Sequence, residues 1–117
     1  MTRRTPNQVS AEDLNLWLQK DLSRLVLIDV RECDELKIAP FPFNVVHLPL
    51  SRSSDWIKSI PEMVPKGEPV VVLCHSGFRS WDFGIWLLTQ ELGYEVWNLQ
   101  GGIDAWSRDV DPSVPRY

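Results

Sequence analysis

The chain has 117 residues, 44% of them apolar and 24% charged, with a formal net charge of −4. That length fits one domain with a real core but not two, and the composition is ordinary for a soluble globular protein. The acidic balance argues against a general nucleic-acid surface, no apolar run approaches the roughly 20 residues needed to span a bilayer, and Met1 to Ser10 lacks a signal peptide's apolar stretch, so the expected address is the cytoplasm.

Residues 1–8 read as a loose start. Ser10 then offers an N-cap with Asp13 three positions on, while Leu14, Trp17 and Leu18 share one face, which predicts a helix to Lys20. Leu25–Val30 is continuous and rich in β-branched residues, as expected of a strand covered on both sides. Asp29 and Arg31 end that strand, where open α/β sheets gather functional residues. Their opposite charges suit structural support of a site, fixing neighbouring turns, more than chemistry. Glu32 to Leu36 reads as one helical turn, and Cys33 within it receives no role. His47 reads as a structural or surface histidine. Ser53–Ile57 opens a short helix that Pro61 is expected to terminate, and Pro65–Pro69 is turn chemistry leading into the next strand.

Val70–Leu73 is an uninterrupted apolar run, short enough for a buried strand, and from Trp81 to Leu92 apolar residues recur at helical spacing. Cys74 sits between them, at the strand's exit. In a strand-loop-helix unit the loop amides and the helix's first unpaired N–H groups converge on one point and favour an anion there; a thiolate is such an anion and is the nucleophilic form of cysteine. Gly77 permits positive φ and close backbone approach, so the loop can curl around the sulfur. Arg79 brings a permanent positive charge on a planar fork that suits an oxyanion, and Ser80 is placed to cap the helix. A cysteine that merely packs needs none of these neighbours.

Within the helix, Trp81, Ile85, Leu88 and Leu92 form one apolar stripe that Phe83, Trp86 and Leu87 broaden, with Gly93 as the expected stop. Glu95–Asn98 follows as a short strand, and Gly101-Gly102 turns the chain into a helix over Ile103–Ser107. The stretch 109–117 is too proline-rich for regular structure. Strands alternating with helices argue for an α/β domain with a mainly parallel sheet. The two cysteines and two histidines lack zinc-ligand spacing, so no metal is expected; Cys74 in this setting reads as a free thiol rather than half of a disulfide with Cys33.

Cys74-His75-Ser76-Gly77-Phe78-Arg79-Ser80 resembles the active-site loop of rhodanese-type sulfurtransferases, written C-x-x-G-x-R-S. Leu27–Glu32 resembles the family's D-V-R-E segment, and Asn98–Trp106 its N-L-x-G-G-x-x-A-W segment. All three occur in the family's order and cover nearly the whole chain. The resemblance implies a rhodanese fold: about five parallel strands with helices on both faces. It departs at Ala39–Asn44, where the family's H-I-P-G-A turn has lost its glycine; Asn44, which also tolerates positive φ, is expected to replace it.

The resemblance further implies that Cys74 carries sulfane sulfur as a persulfide, taken from thiosulfate or a similar small donor and passed to a thiol or a sulfur-carrier protein, with no metal or organic cofactor. Amides from His75 to Arg79 would stabilise the anionic sulfur, Arg79 would draw in the donor, and His75 would orient it or simply be a solvated loop residue. Two other readings stand beside this one. The domain is a docking or relay module that passes sulfur between proteins without turning over small donors, or it is a cysteine-dependent phosphatase or arsenate reductase. Phosphatases place five residues between cysteine and arginine, whereas Cys74 and Arg79 are separated by four, a smaller cradle that suits a single sulfur atom.

Overall fold

A computed structural model of the protein describes residues 4–20 and 24–117. In chain order it contains β1 (Asn7–Val9), α1 (Ala11–Lys20), β2 (Val26–Asp29), α2 (Cys33–Ile38), β3 (Val46–His47), a 3-10 turn (Leu50–Arg52), α3 (Ser53–Trp56), α4 (Ile60–Met63), β4 (Val70–Leu73), α5 (Phe78–Thr89), β5 (Val96–Leu99) and α6 (Gly102–Asp109). The strands form one parallel sheet in the order β1-β5-β4-β2-β3. This is the expected α/β architecture, with β4 and its cysteine exit at the centre.

Period-two alternation sorts β4 between two cores. Val71 and Leu73 pack with Leu14 and Leu18 of α1 and Ile103 and Trp106 of α6. Val70, Val72 and Cys74 face the other way, against Trp56, Ile60, Phe83 and Leu87 of α3, α4 and α5. Because the central strand is covered on both faces, β4 must be apolar throughout, and all four of its residues are buried. The topology reverses direction between β2 and β4, whose carboxyl ends lie side by side: Asp29 pairs with Leu73 in register, and the Val30 N–H bonds the Leu73 carbonyl at 3.1 Å. Open α/β sheets bind ligands outside such a switch point.

Several local expectations are corrected by the tertiary context. Residues 1–3 lie outside the described residues, but Asn7 and Gln8, read as part of a loose start, enter edge strand β1 through pairing with Trp97 and Asn98. Pro61 does not end the helix of Ser53–Ile57; it sits in the first turn of a second one, α4, where its missing N–H costs nothing. In α5 the buried face is Ser80, Phe83, Gly84 and Leu87, not the Trp81-Ile85-Leu88-Leu92 stripe, because the helix turns its small residues toward the sheet: a Cβ at Gly84 would collide with Pro6. That helix ends at Thr89, before Gly93, with Glu91 at φ 53°. Asn44 is not in the left-handed region; the turn before β3 closes without it, Ala39 and Phe41 being buried beside Trp106. Ser10 does cap α1, its Oγ accepting the Asp13 N–H at 3.1 Å. Among the described residues no helix is long and apolar enough to cross a membrane.

Candidate active site

The Cys74 side chain lies at the floor of the loop between β4 and α5 and is 1% exposed. Gly77 adopts φ 100°, which lets the chain reverse and turn its own N–H inward, 3.1 Å from Sγ. The Ser80 N–H points to the same atom at 3.4 Å, and Ser80 Oγ lies 3.2 Å from it. The amides aimed at the sulfur are therefore those of Gly77 and Ser80, rather than the whole run from His75 to Arg79. Ser80 is not the helix cap. Gly77 occupies that position, and Ser80 is the third helical residue, buried and turned toward the cysteine.

The Ser80 hydroxyl is fixed from behind by Asn98 on the neighbouring strand β5. Ser80 Oγ and Asn98 Oδ1 are 2.5 Å apart, while Asn98 Nδ2 donates to the Gly77 carbonyl at 3.1 Å and to Gln8 Oε1 at 3.0 Å. Asn98 was visible only as part of a motif, and Gln8 gave no sequence signal. Gly101 and Gly102 then bring α6 against the loop. A Cβ at Gly102 would overlap the backbone of Cys74 and His75, and the Ile103 and Asp104 amides bond the Cys74 and His75 carbonyls at 2.9 and 3.0 Å.

Asp29 and Arg31 form a fully buried bidentate pair: Nε to Oδ1 at 3.1 Å and Nη2 to Oδ2 at 2.8 Å. Asp29 Oδ1 also accepts the Arg31 N–H at 3.0 Å, closing the turn after β2. His47 Nε2 lies 2.6 Å from the Arg31 carbonyl, so this histidine ties β3 to the same turn. Cys33 is free and exposed. Ser76 is exposed, and Phe78 stands 77% exposed on the loop's rim, beside a cleft of about 520 Å³ that also involves Trp81 and Gln100.

Arg79 is not a free cation. Both of its terminal nitrogens hold Glu35 of α2, at 2.7 and 2.8 Å. This bidentate hydrogen bonding, joined by Tyr117, holds the Glu35 carboxyl down at about 2 against the opposing effect of burial, and raises Arg79 above the usual arginine range. The 109–117 stretch, expected to be irregular, does lack regular structure after Asp109, yet it folds back across the site. Val114 is buried, its carbonyl accepting Ser107 Oγ at 2.5 Å, and Arg116 pairs with Asp104 at 2.8 Å. The Tyr117 ring then stacks on His75 with centroids 4.0 Å apart. Its hydroxyl donates to Glu35 Oε2 at 2.8 Å and accepts from Arg31 Nη1 at 3.1 Å. Burial, chiefly, pushes that phenol up to about 12, so it remains a donor at neutral pH. Among the described residues no group of three or more His, Cys, Asp or Glu side chains is placed to hold a metal ion.

Comparison with known proteins gives this arrangement its context. The profile described as "Rhodanese-like domain" matches residues 10–109. Rhodanese-like/PpiC domain-containing protein 12 of Arabidopsis thaliana is 36% identical over 122 residues, which take in 100% of this chain but 40% of that protein. A sulfurtransferase of Allochromatium vinosum is 33% identical over 108 residues, 92% of this chain and 94% of its own. Among solved structures, a rhodanese-like domain protein from Staphylococcus aureus superposes with a TM-score of 0.70 at 24% identity, over 86% of this chain and 90% of its own. The chain thus spans less than half of one such relative and nearly the full length of another. With a profile match over most of its length and a full-length relative at that identity, the chain belongs to the rhodanese-like domain family.

Proposed function

We propose that the protein is a sulfurtransferase that carries sulfane sulfur as a persulfide on Cys74. The observation that carries this reading is the cradle around Sγ: two backbone N–H groups and one hydroxyl converge on a buried sulfur at the end of the central strand. The two N–H groups stabilise a sulfur anion without rearranging, and they serve both the attacking thiolate and the terminal sulfur that replaces it, while the Ser80 hydroxyl, whose proton goes to Asn98 Oδ1, packs beside the sulfur. With thiosulfate as donor, the Cys74 thiolate attacks the outer sulfur, a new S–S bond forms, the bond to the sulfonate sulfur breaks, and sulfite leaves with the electron pair. An acceptor thiolate then attacks that terminal sulfur and regenerates Cys74. The sulfur is carried covalently throughout, so the reading needs no metal or organic cofactor.

Phe78, a large apolar side chain left exposed beside the loop, favours an acceptor presented by a thiol or carrier protein over a small inorganic one. The four-residue spacing from Cys74 to Arg79 supports sulfur transfer over phosphate-ester hydrolysis.

The reading is tested by incubating reduced protein with excess thiosulfate and measuring its intact mass, with Cys74→Ser alongside. Wild type gains one sulfur atom, about 32 Da, and the variant gains none. Equal mass gain in both proteins would remove Cys74 as the carrier.

A further inference from the structure

Both arginines that the sequence places at the site are already committed to carboxylates, Arg31 to Asp29 and Arg79 to Glu35. The second pair is the telling one. Arg79 stands in the first turn of α5, beside the loop, and carries the charge and fork best suited to an oxyanion, yet its two terminal nitrogens are both engaged. Glu35 is in turn locked from three sides: by Arg79, by the Tyr117 hydroxyl and by the Glu32 N–H at 3.1 Å. Its side chain is 18% exposed, and with its carboxyl held at about 2 it stays charged at any working pH.

A small dianion that reaches Arg79 must either displace Glu35 from the two terminal nitrogens or settle beside that carboxylate on the remaining N–H groups. Either course is costly, because the first strips Glu35 of its partner and the second sets like charges side by side. A hydropersulfide on an organic or protein thiol faces a lower barrier: its outer sulfur sits on a slim two-atom stalk, and the Gly77 and Ser80 amides suffice to receive it.

Resting on the sulfurtransferase reading above, we propose that Glu35 is a positioning residue for donor specificity: by occupying the Arg79 fork it withholds that cation from inorganic dianions and selects a thiol-bound sulfane sulfur. The step it favours is balanced. The Cys74 thiolate attacks the outer sulfur of R–S–SH, the new Cys74 S–S bond forms, the donor's S–S bond breaks, and R–S⁻ leaves with the electron pair.

The test compares kcat/KM for thiosulfate and for glutathione persulfide in wild type, Glu35→Gln, and Glu35→Gln combined with Arg79→Ala. Glu35→Gln removes the competing negative charge from the fork and raises the thiosulfate-to-persulfide ratio by about tenfold, mainly through a lower thiosulfate KM, a gain that damage to the fold would not produce. The added Arg79→Ala abolishes that gain. As a measurement independent of turnover, thiosulfate binds Cys74→Ser/Glu35→Gln about tenfold more tightly than Cys74→Ser by titration calorimetry. An unchanged ratio and unchanged binding in proteins whose wild-type parent still gains sulfur would overturn this inference alone. Absence of the mass gain from both donors would overturn the sulfurtransferase reading and this inference with it.

Discussion

At the scale of single residues, the site depends on groups that are buried and fully paired. Arg31 is 0% exposed and keeps its charge because Asp29 meets it with two oxygens, while its remaining nitrogen reaches Tyr117. Removing one member of such a pair strands the other in a medium that cannot solvate it. Asp29→Ala is therefore expected to lower stability by about 3–5 kcal/mol in urea titrations, far more than its small change in volume accounts for. Tyr117 shows how a residue acquires a role only through position. Within its own segment it is one aromatic after two separated prolines, whereas in the fold its hydroxyl links Arg31 to Glu35 and its ring covers His75.

At the scale of elements, the loop is shaped as much by α6 as by the strand and helix it joins. Gly77 takes its positive φ beside the Gly101 N–H, and Gly102, at φ 62°, lets the first turn of α6 meet the Cys74 and His75 carbonyls. A side chain at Gly102 would have to push that backbone away. Gly102→Ala is expected to cost at least about 2 kcal/mol and to reduce sulfur loading, read by chemical denaturation and by intact mass. The two-glycine turn is legible in the sequence as a turn. Its target is not, because the close approach is to a segment more than twenty residues earlier in the chain.

At the scale of the whole molecule, α2, the 109–117 segment and the loop after β4 are held together by charge. Glu35 contributes through a carboxyl whose value falls from the ordinary 4.5 to about 2 on folding. A depressed carboxyl stabilises the fold fully above its unfolded value and loses that contribution as pH falls through the folded one. The stability difference between wild type and Glu35→Gln should thus be constant above pH 4.5 and shrink progressively toward pH 2, read as urea midpoints across buffers. Solvent reaches the Arg79 side chain, which is 38% exposed, and screens the pair, so the size of the effect is modest while its direction and pH window are set.

The sequence alone determined strands β2, β4 and β5, the strand-loop-helix unit around Cys74 and the glycine on which its loop turns, because each is written in short-range pattern: apolar runs of strand length, helical spacing, a glycine where the chain must reverse. The count of about five strands comes from the family resemblance, and β1 lies in a stretch that reads as a loose start. It also indicated the pairing of Asp29 with Arg31, two residues apart. Only the tertiary structure decided what Arg79 holds, where Ser80 points and what lies over His75. Glu35 lies 44 positions from Arg79, Asn98 lies 18 from Ser80, and Tyr117 lies 82 from Glu35. Those contacts follow from strand order and from the path of the final segment across the sheet's carboxyl edge, and neither is carried by local propensity. The same reason explains the face of α5. Its apolar residues are numerous enough for more than one stripe, and the small residues that let it approach the sheet, Ser80 and Gly84, decide which one is buried.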